Sequence, residues 1–411
     1  MARTVEETIT PAVEEPQPQP DKPRPGCEKS PLMPLRRSIL LTVLYGDLFD
    51  YPMSEDELRR YLVRVSPEPS SSGPPASSCG WPAPSEHRLG AVSGLEAGLS
   101  GTQFDDALES LVGPYLSRSA GHYCWKGREH LFELRRQRAS LCRRRWPQAR
   151  RYARWLARVP FVRMVAVCGS QAMENGGEDG DIDIFCITEP RRLWLVQLAA
   201  MMLWRVARIF SARICPNYFL TLRSLGLEER NLYTAHEVTQ VVPLWGEQAY
   251  EAFLAANRWV EDYLPQLDFG DRRRFLEDSP TPATTARLER LLGGGLGDAV
   301  DRLIYRMLLV YYPIRLRRRR LSKEDVERAY RRDRQVVIDG GFSTAVARSF
   351  KKRVRDRLGE QVPEAVLAGL FPRAASTSVP ARSKRSHPVW GRLFARRYGT
   401  ERRPGFAEAD E

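Results

Sequence analysis

The segment Cys168–Thr188, CGSQAMENGGEDGDIDIFCIT, constrains this chain more than any other. It joins one apolar run, Phe161–Gly169, to a second through a Gly-rich stretch. In the second run Asp181 and Asp183 alternate with Ile182 and Ile184. Alternate side chains of a strand share a face, so the two carboxylates project together, their Cα atoms about 7 Å apart, while the isoleucines enter the core. A carboxylate buried without a partner is costly, and two on one face call for a cation. We therefore expect both acids on the exposed side of the strand end. Hard cations such as Mg²⁺ take oxygen ligands, which makes Asp181 and Asp183 candidate metal ligands. Gly169 and Ser170 end the preceding strand where a helix should begin. Backbone N–H groups at such a turn can cradle a phosphate, glycine lets the backbone approach it closely, and the Ser170 hydroxyl adds a donor.

The surroundings read as a small sheet. FVRMVAVCG, DIDIFCIT and ICPNYFLTL are buried-type strands, and RRLWLVQLAAMMLWRVARIF is a helix between the last two. This core spans 160–230, and the expected fold class is α+β. Ahead of it, Ser38–Tyr51 has helical spacing, Ser54 and Glu57 form a capping box, and Phe104–Gly113 is a third helical pattern. Tyr115–Glu129 follows as a hairpin around Ser119-Ala120-Gly121. Three helices and a hairpin give 34–130 the order of a winged-helix-like module. A low-complexity insertion, 66–101, separates its second and third helices, which a DNA-reading pair holds on a short turn. Packing or protein contacts are thus as good a use for it as DNA.

A basic helix over 131–159 links this module to the core, with a break expected at Pro147. The pattern turns helical over 231–372, with two helices around Pro243 and Gly246, then ATTARLERLL, a long helix through the arginines to Arg320, SKEDVERAYRRDRQVV and TAVARSFKKRVRDRL. The Arg315–Arg320 block and Lys351–Arg357 serve equally as solvated basic faces or polyanion tracks. The ends, 1–33 and 373–411, are Pro-rich and polar and read as disordered tails.

With 411 residues the chain exceeds one small core, so several domains are expected. Lys plus Arg is 64 against 51 Asp plus Glu, a formal charge of +13, which favours nucleotides or nucleic acid as partners. Seven cysteines without a CxxC pair argue against a disulfide framework or a Cys-based zinc site. The acidic, Pro-rich start is no signal peptide, and Gln197, Arg205 and Arg208 interrupt the longest apolar segment. No membrane association and a cytoplasmic location are the expectation.

Gly169-Ser170, ten intervening residues and Asp181-Ile182-Asp183-Ile184 together resemble the signature of the nucleotidyltransferase fold of the DNA polymerase beta superfamily. CPNYFL, NLYTAHEVTQVVPLWG and AANRW are similar to segments of uncharacterised bacterial proteins carrying that domain. The resemblance implies that Asp181 and Asp183 bind Mg²⁺, that Gly169 and Ser170 hold the β- and γ-phosphates of an NTP (ATP above all), and that an NMP passes to an acceptor hydroxyl. The acceptor could be RNA, a protein side chain or a small molecule. Such enzymes carry a third carboxylate on a later strand, but ICPNYFLTL has Asn217 where that acid would stand. Glu237, with His236 beside it, is the best substitute. Three options stay open: Glu237 replaces the acid, two carboxylates suffice, or the domain senses nucleotide without turnover. The last fits a non-catalytic regulator with a DNA-binding winged helix.

Overall fold

The computed structural model describes residues 34–65, 101–209, 213–267, 270–277, 282–316, 330–336 and 342–372. The expected tails, nearly all of the 66–101 insertion, the arginines 317–320 and the start of the SKEDVERAY segment lie outside the described residues.

Helix α1 (Pro34–Asp47) is largely apolar from Ile39 to Tyr45, interrupted only by Thr42, and is almost wholly buried. Ser54 closes a full capping box with Glu57 at the start of α2 (Glu55–Arg60), satisfying two end groups at once. After α3 (Gly101–Glu109), strands β2 (Leu116–Ser119) and β3 (His122–Trp125) form the expected hairpin. Ala120 and Gly121, both at positive φ, make its turn. Strand β1 (Met53–Ser54) pairs with β3 and completes a three-stranded sheet ordered β1-β3-β2.

Helix α4 (His130–Leu156) runs straight through Pro147, contrary to the expected break. Its buried residues Ala139, Cys142, Ala149, Ala153 and Leu156 keep helical spacing on both sides of the proline. Burying that continuous stripe outweighs one lost hydrogen bond.

The main sheet has five strands in the order β7-β4-β5-β6-β8. β4 (Val162–Cys168) leads into the single-turn helix α5 (Gly169–Ala172), then β5 (Ile182–Thr188), α6 (Leu193–Ile209) and β6 (Ile214–Thr221). β5 is antiparallel to β4 and parallel to β6. Two edge strands depart from the helical reading of the C-terminal half. After α7 (Leu232–Thr239), Val242–Trp245 is strand β7, antiparallel to β4. Later, Arg334–Val336 is β8, antiparallel to β6, where RDRQVV was read as helix. Pro243 is compatible with a strand because β7 lies at the edge. The remaining helices are α8 (Glu247–Ala256), α9 (Gly270–Arg273), α10 (Ala283–Leu292), α11 (Gly295–Leu316), α12 (Phe342–Leu358) and α13 (Glu364–Leu370).

The sheet is covered on both faces, and its alternation sorts residues between two cores. Ile182, Ile184 and Cys186 pack with α4, α6 and Leu308 of α11. Phe185 and Ile187 pack with the N-terminal module, α7, α8, α12 and α13. This second core runs without interruption from Ile39 to Phe371. Mixed α+β architecture is thereby established. Among the described residues no helix is long and apolar enough to cross a membrane. The five described cysteines are free thiols.

Candidate functional site

β4 ends at Cys168, and the chain turns through Gly169 at φ +65° into α5. Asp183 pairs across from Cys168, so register alone sets the acid beside the Gly-Ser turn. The approach is close: a Cβ added to Gly169 would stand 3.0 Å from Asp183 Oδ2. Ser170 is 4% exposed, and its Oγ has no hydrogen-bond partner. An unsatisfied buried hydroxyl at a turn is a position that asks for a ligand.

Asp183 is 3% exposed, which corrects the expected solvent-facing placement. Its face of β5 lies under the core that the N-terminal module and α7 share. Asp181 precedes β5 and is half-buried. Asn217 is the extra residue of a bulge in β6, where Ile184 pairs with Pro216 and Phe185 with Tyr218. Its Nδ2 donates to Asp183 Oδ1 at 3.3 Å. An amide thus occupies the place beside the buried carboxylate where the resemblance expects an acid.

Gly169 and Ser170 open onto a cavity of about 80 Å³. Tyr45, Tyr51 and Tyr61 of the N-terminal module line one side, and His236 and Glu237 of α7 another. Glu237 therefore shares a cavity with the Gly-Ser turn. Its charge also reaches Tyr218, whose hydroxyl is pushed up to about 12, mainly by burial. His236 stacks on Tyr45 at 4.1 Å, its Nε2 has no partner, and burial pushes its pKa down to about 3. It is a neutral ring in the wall of the cavity.

The loop after the turn is held in place rather than loose. Arg138 Nη1 donates to Asn175 Oδ1, and Arg145 Nη1 to the Gly177 carbonyl. Arg272 donates to the Ala172 carbonyl and to the Tyr61 hydroxyl. The pairing of the basic helix α4 with this Gly-rich loop is a tertiary fact with no local signal in the sequence.

Among the described residues no three His, Cys, Asp or Glu side chains gather as metal donors. The donor set still suits Mg²⁺, which commonly takes one or two carboxylates and completes its shell with phosphate and water. Asp183 keeps Oδ2 on the side of the Gly-Ser turn, and Asp181 would supply the second carboxylate. No protein family model, curated protein or solved structure matches the chain.

Proposed function

We propose that the chain is a Mg²⁺-dependent nucleotidyltransferase that moves an NMP from an NTP to an acceptor hydroxyl. The observation that carries this reading is the Gly169–Asp183 contact beside the unpartnered Ser170 hydroxyl. It sets the Gly-Ser turn beside the acidic strand that follows it in the chain. Backbone N–H groups at the turn and Ser170 Oγ hold the β- and γ-phosphates. Asp181 and Asp183 would hold Mg²⁺, which when bound would offset phosphate charge. The acceptor oxygen forms a bond to the α-phosphorus, the bond from that phosphorus to the bridging oxygen breaks, and pyrophosphate leaves. Glu237, on the cavity wall, receives the hydroxyl proton.

The experiment incubates the protein with Mg²⁺, labelled NTPs and candidate acceptors, beside Asp183→Ala. Transfer lost in the variant supports the site, and equal labelling by both proteins sinks it. Asn217 beside Asp183 favours a second reading, a nucleotide sensor without turnover whose N-terminal module binds DNA. Small-molecule sites usually measure about 300–1,000 Å³, so a triphosphate enters only if the module and α7 part. Mg²⁺-dependent NTP binding without pyrophosphate release would select this reading.

A further inference from the structure

Among the described residues, every exposed large apolar side chain belongs to α6, α10 or α11. Met202, Val206 and Ile209 follow one another along the outer side of α6. Leu303, Met307 and Val310, each about 60% exposed or more, repeat that spacing on α11. α11 packs on both α6 and α10, so these exposed side chains lie on adjoining helices. A concentration of this kind marks an interaction site, whereas scattered exposed apolar residues do not.

The charges on these helices identify the partner. Arg205, Arg208, Arg287, Arg290, Arg302 and Arg306 are exposed and make no ion pair among the described residues. The acids are all engaged. Glu289 pairs with Arg163, Asp298 with Arg191 and Arg192, and Asp301 accepts the N–H groups of Trp194 and Leu195. The face is therefore apolar and cationic. A second copy would set arginine rows against each other, and a nucleic acid would leave the apolar stripes unburied.

A groove of about 770 Å³ opens where α10 meets α11. Arg223 and Arg290 both line it without an ion pair among the described residues. Its Gly293–Gly295 rim is flanked in the chain by exposed Leu291 and Leu296. Cationic heads beside apolar side chains match a phosphate headgroup and its acyl region.

We infer that the α6–α10–α11 face docks on an anionic phospholipid surface, with the arginine groove receiving a headgroup phosphate. The helices lie on the surface and do not span it, which revises the sequence-based expectation of no membrane association while keeping the absence of a spanning helix among the described residues. The inference is independent of nucleotide transfer.

The test is co-sedimentation of the full chain with vesicles of phosphatidylcholine alone, and of phosphatidylcholine mixed equally with phosphatidylglycerol. Partitioning to the anionic vesicles alone is expected. The double variant Leu303→Glu/Met307→Glu should lose it. Arg223→Glu/Arg290→Glu should weaken it at least about tenfold, since each arginine near an anionic leaflet contributes about fivefold. Arg144→Glu/Arg151→Glu, an equal charge change at exposed positions of α4, should change it far less. Circular dichroism confirms that each variant folds. Equal binding to both vesicle types, or undiminished binding by either double variant, overturns the inference. So does sedimentation showing a stable dimer that Leu303→Glu/Met307→Glu dissociates.

Discussion

Gly169 holds φ +65° with Asp183 Oδ2 close to where a side chain would begin. Gly169→Ala adds the left-handed penalty of an L-residue, about 1–2 kcal/mol, and crowds the carboxylate. Urea unfolding should show a loss of at least that size, with NTP affinity falling alongside it; unchanged stability would mean that the turn relaxes freely. His236 makes a prediction of pH. Its folded value is about 3, against about 6.5 for the unfolded chain. Between these values the unfolded chain binds the extra proton, so this contribution is complete above about pH 6.5 and is lost as pH falls. The loss reaches about 2 kcal/mol by pH 5. His236→Phe keeps a ring against Tyr45 and removes the titration. Its stability profile between pH 6.5 and 5 should be flatter than the parent's by that amount, as read by denaturant unfolding at each pH. The acids and the Gly-Ser turn were legible because strand alternation and a turn residue are local signals. The burial of Asp183 was not, because its strand face belongs to a core built partly by helix α1, more than a hundred residues earlier in the chain.

At the scale of elements, the sequence spoke clearly where a local rule decides. The Ser54–Glu57 box, the Ala120-Gly121 turn and the apolar strands all formed where their residues indicate. It misled where tertiary packing overrides a local rule. β7 and β8 are four and three residues long, too short to display alternation, and exist because β4 and β6 offer open edges. Pro147 lies within a 27-residue helix whose buried stripe passes beneath it, while neighbouring Trp146 stacks on Phe275 at 5.1 Å. The proline is therefore tolerated at a cost. Pro147→Ala restores the missing donor without touching that stack, and should stabilise the protein by about 1–3 kcal/mol. A calorimetric melting temperature that stays level or falls would show that the helix has adapted fully to the proline.

For the whole molecule, the composition pointed to several domains, yet one core joins the N-terminal module, one face of the sheet and the C-terminal helices. Its polar counterpart is Asp47, 4% exposed at the end of α1. Arg353 of α12 donates to its Oδ2 at 2.6 Å, and Arg128, just before α4, lies 3.4 Å from its Oδ1. One carboxylate thus ties three parts of the chain together. Asp47→Ala removes it and leaves the partly buried Arg353 guanidinium without this carboxylate, while Arg128 keeps its pair with Asp50. Breaking a fully buried pair costs about 3–5 kcal/mol, and the partial exposure of Arg353 reduces this to about 2–3 kcal/mol. Because the core is shared, the loss should be felt everywhere at once. Calorimetry should show a single transition, in parent and variant alike, moved to lower temperature in the variant. Two transitions, with only the lower one shifted by Asp47→Ala, would mean that the N-terminal module unfolds by itself and can leave the Gly169–Asp183 site without disturbing the sheet.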